Sequence, residues 1–195
     1  MVRDAVPKRR AEFATGRACA REALGAIGIP PSPILQGDQG EPSWPTGVVG
    51  SITHCVGYRA SAVARIEDLR TLGIDAEPNA PLPHGVLADI ALPDERKALE
   101  EHAGQNRRVC WDRLLFCAKE AIYKAWFPVM RSWLGFHDAL VDFDIHTGGF
   151  RGVLVAPEEA VDQDLRTLTG KWLVREDKLL AAVTVPGVSA EGLRA

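Results

Sequence analysis

The sequence contains few cysteines, and none of them forms a C-x-x-C pair. The four thiols are Cys19, Cys55, Cys110 and Cys117, and their spacing matches neither a zinc site nor a disulfide framework. We therefore expect reduced and mostly buried cysteines. A Cys/His nucleophile at Cys55 and His54 is disfavoured, because neighbouring residues on a strand point to opposite faces.

Long apolar runs and an excess of basic residues are also missing. No stretch reaches the roughly 18 apolar residues that a membrane helix needs, and the polar first ten residues do not read as a secretory signal. The 23 Lys and Arg residues against 26 Asp and Glu give a net charge of −3, which argues against a general nucleic-acid binder. We expect a cytoplasmic protein that binds neither membranes nor nucleic acid.

The N-terminal segment is nonetheless locally basic. Residues 1–24 carry six cations and three anions, and two of the cations, Arg17 and Arg21, are four apart on one side of a predicted helix. A basic cluster within an acidic protein favours a small anion site over a long polyanion groove. A solvated helix face is the alternative.

The 195 residues, 46% hydrophobic and 25% charged, suit one domain or two small lobes that share a core. Apolar residues at helical spacing predict helices over Arg9–Ile27 and Asp112–Phe127, and Pro93 opens another. Alternating residues predict a strand before a turn near Gly57 and a second strand or the start of a helix after it. They also predict a short strand over Leu72–Glu77 and strands in four segments of the last third. This mixture indicates an α+β fold.

Two carboxylates stand at the end of a predicted strand, in the sequence Asp75-Ala76-Glu77. A spacing of two on a strand puts both side chains on one face. Convergent carboxylates repel each other unless a cation or a proton lies between them. Their hard oxygens suit Mg²⁺, which also binds substrate phosphates. Two solvated acids are the alternative.

A third carboxylate lies on the clearest helix, in the sequence AKEAIYKAW. Glu120 and Lys124 are four apart and share a helix face, opposite the apolar stripe of Trp111 and Leu115, with Lys119 about 100° from Glu120. A surface ion pair is one interpretation. A carboxylate close to two cations is also the set that would hold a metal and a phosphate together.

The segment Gly50–His54, G-S-I-T-H, is a weaker signal. Thr53 and His54 offer a hydroxyl and an imidazole N–H, both suited to phosphate oxygens. A strand-end or core histidine is the alternative.

Together these segments resemble the Sfp-type 4′-phosphopantetheinyl transferases, in particular the branch close to enterobactin synthetase component D. The similar segments span Lys8 to about Phe136, and in order they are KRRAEFATGRACAREAL, GEPSWPTGVVGSITHCVGY, LGIDAEP, WDRLLFCAKEAIYKAWFP and WLGF. G-I-D-x-E alone is unspecific. Its position between G-S-I-T-H and K-E-A-x-Y-K-A is specific to this family.

The resemblance implies transfer of 4′-phosphopantetheine from coenzyme A to a serine of an apo acyl or peptidyl carrier protein, giving holo carrier and 3′,5′-ADP. It implies two pseudo-twofold-related α+β halves, residues 1–68 and 69–186, with coenzyme A in the cleft between them and a tail at 187–195. The carriers of such enzymes serve fatty acid, polyketide, nonribosomal peptide or siderophore biosynthesis. We expect a monomer.

The family motifs also imply roles for residues of the second half. Asp75, Glu77 and Glu120 would bind Mg²⁺, or Mn²⁺ in its place, on the pyrophosphate. Glu120 would also be the general base for the incoming serine, directly or through metal-bound water. Lys124 would assist departure of the 3′,5′-ADP phosphate, with Lys119 near phosphate too.

The first half would hold the nucleotide. Arg9, Arg17 and His54 match family cations that bind the 3′-phosphate, and Thr53 would assist them. The loop Gln36–Pro42 would cradle the adenine, largely through its backbone, and within it Gln36, Gly37, Asp38 and Gln39 are expected to bind coenzyme A. Trp133 and Leu134 would line the pantetheine side.

Two departures from the family pattern bear on these expectations. Close relatives carry lysines where this chain has Gln36 and Gln39, so coenzyme A is expected either to bind more weakly or to rely more on Arg9, Arg10 and Arg17. Relatives also have a longer segment before Lys8, so the first half is expected to be shortened and less stable. Two alternatives stay open: a coenzyme A- or carrier-binding module with little turnover, and an unrelated Mg²⁺-dependent phosphohydrolase.

Overall fold

A five-stranded antiparallel sheet dominates this computed structural model, which describes residues 7–155 and 162–187, with side chains from residue 10 onward. The helices and strands of the described residues follow in chain order. They are α1 (Pro7–Ala26), β1 (Leu35–Gln36), β2 (Pro42–Ser43), β3 (Val48–Cys55), β4 (Tyr58–Arg65), β5 (Leu69–Pro78), α2 (Val86–Ile90), α3 (Pro93–Gln105), α4 (Trp111–Met130), β6 (Ala139–Asp144), β7 (Gly149–Leu154), β8 (Thr167–Arg175) and β9 (Lys178–Pro186).

The main core lies between α4 and the sheet, whose strand order is β5-β9-β8-β7-β6. The predicted apolar stripe of α4 is buried: Leu115, Ala118 and Ile122 are all fully covered. They pack with apolar residues of the strands in one large cluster. The predicted helix and the predicted strands of the last third are therefore confirmed.

Strand β5 lies directly against the backbone of α4. A Cβ atom placed on Gly73 would stand 2.0 Å from the carbonyl oxygen of Ala121 and 2.6 Å from the amide nitrogen of Ala125. Only glycine permits this approach. Two residues earlier on the same strand, the Thr71 hydroxyl donates to the Ala125 carbonyl at 2.8 Å. This hydrogen bond fixes the position of α4 along β5, and therefore its position relative to the residues that follow Gly73.

The first part of the chain forms a second, smaller packing unit. Strands β3 and β4 form an antiparallel hairpin whose turn contains Gly57 at φ 76°, as predicted. Helix α1 packs on β4, and the buried residues Ala20, Leu24, Ile34 and Val48 form a small separate cluster there.

The hairpin is linked to the large sheet through side chains. Strands β3 and β5 belong to different sheets. The Ile74 amide donates to the Ser51 hydroxyl at 3.1 Å, and the Ala76 amide donates to the Thr53 hydroxyl at 3.0 Å. We refer to this line of contacts as the seam. It satisfies backbone donors of β5 that would otherwise be buried without partners.

The expected α+β class is confirmed. The division at residue 68 stays a prediction, and residues 188–195 of the proposed tail lie outside the described part. All four cysteines are unpaired, with Cys55 and Cys117 buried and the other two partly exposed. In the described segments, no helix combines the length and the apolar character needed to span a bilayer.

Candidate active site

A cleft of about 940 Å³ lies where the β3–β4 hairpin faces β5 and α4. Its walls come from segments far apart in the sequence: α1, the 39–44 loop, β3, β5 and α4. The charged residues predicted from the sequence that line it are Arg17, His54, Asp75, Glu77, Glu120 and Lys124. The fold therefore gathers one histidine, two other basic residues and three carboxylates around one cavity.

Asp75 is buried near the middle of β5, and its two carboxylate oxygens differ in their surroundings. Oδ1 accepts from Lys124 Nζ at 2.6 Å and from the Thr53 hydroxyl at 3.0 Å. Oδ2 is buried and receives no N–H or O–H hydrogen bond from the described residues. The Cys117 thiol is hydrogen-bonded to the Asp75 carboxylate, and burial first, then the charge of Asp75 and this hydrogen bond, raise the Cys117 pKa well above its usual value.

Glu77 follows two residues later and reaches the same cleft, as strand alternation requires. Its Oε2 accepts from Arg113 of α4 at 3.0 Å. Burial raises the pKa of the Glu77 carboxyl and the Asp75 charge raises it further, while Arg113 opposes both. Arg113 was not among the predicted site residues, because nothing in the sequence shows which face of α4 meets β5.

Glu120 and Lys124 project from one face of α4 into the cleft. Lys124 Nζ also donates to the Ile74 carbonyl at 3.3 Å, so the ammonium is held over β5. Burial raises the pKa of the Glu120 carboxyl, Asp75 adds to the increase and Lys124 opposes it. A carboxylate with a raised pKa is a stronger base than a solvated glutamate.

The cations of the first half lie across the cleft from these carboxylates. The Arg17 guanidinium lies 3.8 Å from the centre of the Phe13 ring, and one of its terminal nitrogens is buried without a hydrogen-bond partner among the described residues. Burial lowers the Arg17 pKa. His54 is half exposed, with Nδ1 3.9 Å from Glu12. The side chain of Arg9 lies outside the described residues.

The loop after β1 is organised by Glu41, a residue of the segment expected to cradle the adenine but not one of those singled out for coenzyme A binding. Its backbone carbonyl accepts from the Gly37 amide at 2.8 Å, and its carboxylate accepts from the Gln39 amide at 3.1 Å. Arg131, beyond α4, contacts the same carboxylate at 2.8 Å. Gln39 lines the cleft, whereas Gln36 is an exposed residue of β1. Of the remaining loop residues, Asp38 is exposed.

The two further residues predicted near phosphate, Thr53 and Lys119, have different surroundings. Thr53 is buried and lines the cleft, and its hydroxyl donates to Asp75 and accepts from the Ala76 backbone amide. Lys119 is 3% exposed, and its ammonium contacts Glu95 at 2.8 Å and the carbonyl of Ala139 at 2.9 Å, inside the main core. Lys119 therefore does not join Lys124 in the cleft.

The two residues expected on the pantetheine side also differ from each other. Trp133 is 75% exposed and packs on the Tyr123 ring at 5.2 Å between centroids. Leu134 is buried in the main core.

The chemistry of the cleft is that of a site for a phosphate-rich ligand and a cation. The buried Asp75 and the partly buried Glu77 and Glu120 favour a divalent ion or a proton, and the partly buried guanidinium of Arg17 and the exposed imidazole of His54 favour an anion. Across the described ranges, no group of three or more His, Cys, Asp or Glu side chains is arranged so that it could hold a metal ion. A cation bound here would thus need ligands from the substrate, or carboxylates that rearrange to reach it.

Two family models match the chain. Residues 1–64 match the 4′-phosphopantetheinyl transferase N-terminal domain, and residues 71–175 match the 4′-phosphopantetheinyl transferase superfamily. The second match includes Asp75, Glu77, Glu120 and Lys124.

Curated relatives agree with these matches. The chain is 47% identical to the 4′-phosphopantetheinyl transferase PptT of Mycobacterium tuberculosis, over 95% of this chain and 83% of the relative. It is 50% identical to the 4′-phosphopantetheinyl transferase Svp of Streptomyces mobaraensis, over 96% and 77%. It is 30% identical to enterobactin synthase component D of Salmonella typhimurium, over 94% and 75%. The chain therefore belongs to the 4′-phosphopantetheinyl transferase superfamily and is an enzyme of the transferase class.

Proposed function

We propose that this chain moves the 4′-phosphopantetheine group of coenzyme A onto a serine hydroxyl of an apo acyl or peptidyl carrier protein and releases 3′,5′-ADP. The observation that carries the proposal is the cleft itself. In a chain of this family, it brings Asp75, Glu77 and Glu120 together with Lys124 on one side and faces them with Arg17 on the other.

The nucleotide end of coenzyme A would occupy the side of the first half. The buried, unpartnered nitrogen of Arg17 supports a contact with the 3′-phosphate, since a desolvated guanidinium gains most from a charged acceptor. His54 and Arg9 would complete this subsite. The turn that Glu41 stabilises would bind the adenine together with Gln39.

Mg²⁺, or Mn²⁺ in its place, would be held by Asp75, Glu77 and Glu120. The donor chemistry fits, because all three offer hard oxygens and Asp75 Oδ2 is buried and receives no N–H or O–H hydrogen bond from the described residues. Mg²⁺ is commonly bound through one or two carboxylates, waters and substrate phosphates, so it does not require a preformed cage of three ligands. When bound, the ion would neutralise charge on the diphosphate.

The reacting groups of the chain would be Glu120 and Lys124. Glu120 would take the proton of the incoming serine hydroxyl as the serine oxygen forms its bond to the phosphorus of the phosphopantetheine group. The bond from that phosphorus to the 3′,5′-ADP oxygen breaks, and the Lys124 ammonium would stabilise the negative charge on the departing phosphate. Burial of Glu120 supports its assignment as the base, because it raises the pKa of the carboxyl.

We extend the proposal to a monomer that works in the cytoplasm without nucleic acid or membrane. The proposed metal-binding and reacting residues, Asp75, Glu77, Glu120 and Lys124, all line the cleft of a single chain. Four unpaired cysteines suit a reducing compartment. The net charge of −3 gives little attraction to nucleic acid.

Mass spectrometry of an apo carrier protein incubated with the chain, coenzyme A and Mg²⁺ tests the proposal. We expect the carrier to gain the mass of one phosphopantetheine group. Glu120→Gln should abolish the gain while coenzyme A binding stays measurable, and Glu100→Gln on the exposed side of α3 should behave as wild type.

Two results would contradict the proposal. Binding of coenzyme A without modification of any apo carrier in a broad panel would indicate a binding module. Release of phosphate or pantetheine in the absence of carrier, undiminished by adding it, would indicate a phosphohydrolase.

A further inference from the structure

The hydroxyl of Thr53 lies at the junction of the two packing units. Thr53 is 2% exposed, on β3, and its hydroxyl donates to Asp75 Oδ1 at 3.0 Å. The Thr53 hydroxyl oxygen also accepts from the Ala76 backbone amide at 3.0 Å. The single hydroxyl hydrogen is therefore directed at the Asp75 carboxylate and is not available to a ligand in the cleft.

Both N–H and O–H hydrogen bonds received by the Asp75 side chain go to one of its oxygens. Lys124 Nζ and the Thr53 hydroxyl donate to Oδ1, while Oδ2 is buried and receives neither an N–H nor an O–H from the described residues. The Cys117 thiol, a weak donor, is the one further hydrogen-bond partner of the carboxylate among the described residues. This arrangement fixes the rotation of the carboxylate and leaves Oδ2 as the oxygen without a strong donor.

We propose that Thr53 is a positioning residue: its hydroxyl holds Asp75 by Oδ1, so that Oδ2 is the oxygen offered to the divalent cation. This inference rests on the proposed function, because it assumes that Asp75 binds the cation. It assigns the Thr53 side chain to the metal site rather than to the 3′-phosphate of coenzyme A.

The two donors to Oδ1 differ in mobility, which gives Thr53 a distinct task. Lys124 reaches Asp75 on a flexible four-carbon stem, and the proposed reaction directs its ammonium toward the departing phosphate. The Thr53 side chain is short and β-branched, so its χ1 angle is restricted, and its strand is anchored at the seam. Thr53 can therefore keep Asp75 oriented after Lys124 turns toward the phosphate.

Three variants test the inference. Thr53→Val keeps the shape and removes the hydroxyl, and Thr53→Ser keeps the hydroxyl. Ser51→Ala is the matched control, because Ser51 accepts a backbone donor of β5 in the same seam but is not hydrogen-bonded to Asp75. Thr53→Ala replaces the valine variant if that one fails to fold, as judged by circular dichroism.

The main readout is direct binding of Mn²⁺, followed by electron paramagnetic resonance in the presence of coenzyme A and without carrier. We expect Thr53→Val to weaken Mn²⁺ binding by about 10–100-fold, the range for loss of an outer-shell partner. Thr53→Ser should retain Mn²⁺ affinity to within about threefold, and Ser51→Ala should leave it unchanged. Thr53→Val and wild type should have the same affinity for coenzyme A, and they should also have the same affinity for dephospho-coenzyme A, both measured without metal.

Other results overturn the inference. If Thr53→Val loses affinity for coenzyme A but not for dephospho-coenzyme A, and binds Mn²⁺ normally, the hydroxyl serves the 3′-phosphate. If Ser51→Ala weakens Mn²⁺ binding as much as Thr53→Val, the effect belongs to the seam as a whole. Failure of the proposed function would appear in the wild type itself, which would bind no Mn²⁺ and transfer nothing.

Discussion

His54 illustrates how one residue of the cleft combines opposing influences. Burial lowers its pKa, and the charges of Lys124 and Arg59 lower it further, while Glu12 and Asp75 raise it. The net effect is downward, so the folded protein binds fewer protons at His54 than the unfolded chain does just below the ordinary pKa of 6.5. The imidazole is therefore mainly neutral at neutral pH.

This shift predicts a pH dependence that can be measured against His54→Gln. If His54 contacts a phosphate of coenzyme A, the bound anion favours the imidazolium, and the affinity advantage of wild type over the variant should grow as the pH falls from about 8 to about 5.5. Protonation of the phosphate affects both proteins alike, and the ratio of their dissociation constants removes it.

The stability of the free protein should change in the opposite sense. Because the folded pKa is lowered, wild type should lose stability relative to His54→Gln as the pH falls through the window below 6.5. Titration calorimetry and urea unfolding at matched pH values measure the two effects. A ratio of dissociation constants that does not vary with pH would contradict the assignment of His54 to a phosphate.

Single residues of the cleft were predictable to different degrees. Asp75 and Glu77 follow from strand alternation, and Glu120 and Lys124 from helical spacing, which places each pair on one face. Lys119 shows the limit of reading a motif without its helix. At 100° per residue it lies about 40° from Leu115, within the apolar stripe, and that position indicates burial rather than a place in the cleft.

The buried pair of Lys119 and Glu95 acts on whole elements. Strand β6 forms the outer edge of the sheet, opposite β5. Glu95 Oε1 accepts from the Val141 amide of β6 at 2.7 Å, and Lys119 donates to the Ala139 carbonyl of the same strand at 2.9 Å. The pair therefore occupies backbone groups of an edge strand and prevents them from pairing with another chain.

Removal of one partner should be costly, because it leaves the other charge buried. We expect Lys119→Met to lower the free energy of unfolding by about 3–5 kcal/mol. Lys97→Met, on the exposed side of α3, removes the same charge and should change stability by less than about 0.5 kcal/mol. Urea denaturation followed by circular dichroism measures both.

A loss below about 1 kcal/mol for Lys119→Met would contradict this account, because it would mean that Glu95 finds solvent or a proton without cost. Such a result would also remove the reason for treating the pair as protection of the β6 edge.

The contact between β5 and α4 leads to a prediction at Gly73. Gly73→Ala places a methyl group 2.0 Å from the Ala121 carbonyl oxygen, and both atoms belong to rigid backbone. We expect the free energy of unfolding to fall by about 1–3 kcal/mol. Displacement of α4 also moves Glu120 relative to Asp75, so the transfer rate should fall on the order of 100-fold.

Gly25→Ala is the control for this substitution. Gly25 lies in α1 with nothing within 4 Å of an added Cβ, and alanine there should raise stability by about 0.5–1 kcal/mol. Thermal unfolding and the carrier mass-shift rate measure both variants. Wild-type rates for Gly73→Ala would show that the spacing of β5 and α4 does not set the geometry of the site.

The elements themselves were largely predictable, and their assembly was not. Periodicity located α1, α4 and the strands of the large sheet, because each repeats one pattern over several residues. The seam has no such pattern. It depends on two hydroxyls, Ser51 and Thr53, that accept amides of β5 from a distant segment, and strand alternation says only that they share a face.

At the scale of the whole molecule, the two packing units are unequal. The cluster between α4 and the sheet contains most of the buried apolar residues. Among the side chains that the structure describes, the cluster of the first unit has four buried members, supported by partly buried neighbours such as Trp44 and Ile52. Apolar area sets most of the stability that burial provides, so the first unit depends more on the seam and on a ligand in the cleft.

This inequality predicts a gradient of hydrogen exchange. Without ligand, amides of β3 and β4 should exchange faster than those of β8 and β9, because the smaller unit opens without unfolding the sheet.

Coenzyme A contacts both walls of the cleft in the proposed function and binds only when they are together. At about 100 times its dissociation constant it should slow exchange in β3 and β4 by about 100-fold, equivalent to about 2.7 kcal/mol. Amides of β8 and β9 exchange by global unfolding, which also abolishes binding, so coenzyme A should slow their exchange by about the same factor and leave the difference between the two units in place. Hydrogen exchange measured by mass spectrometry with and without coenzyme A compares the two pairs of strands, and compares the free with the bound protein. Equal free-state rates in the two hairpins would show that the chain opens as a single cooperative unit, and no added protection in β3 and β4 would show that coenzyme A does not bridge the cleft.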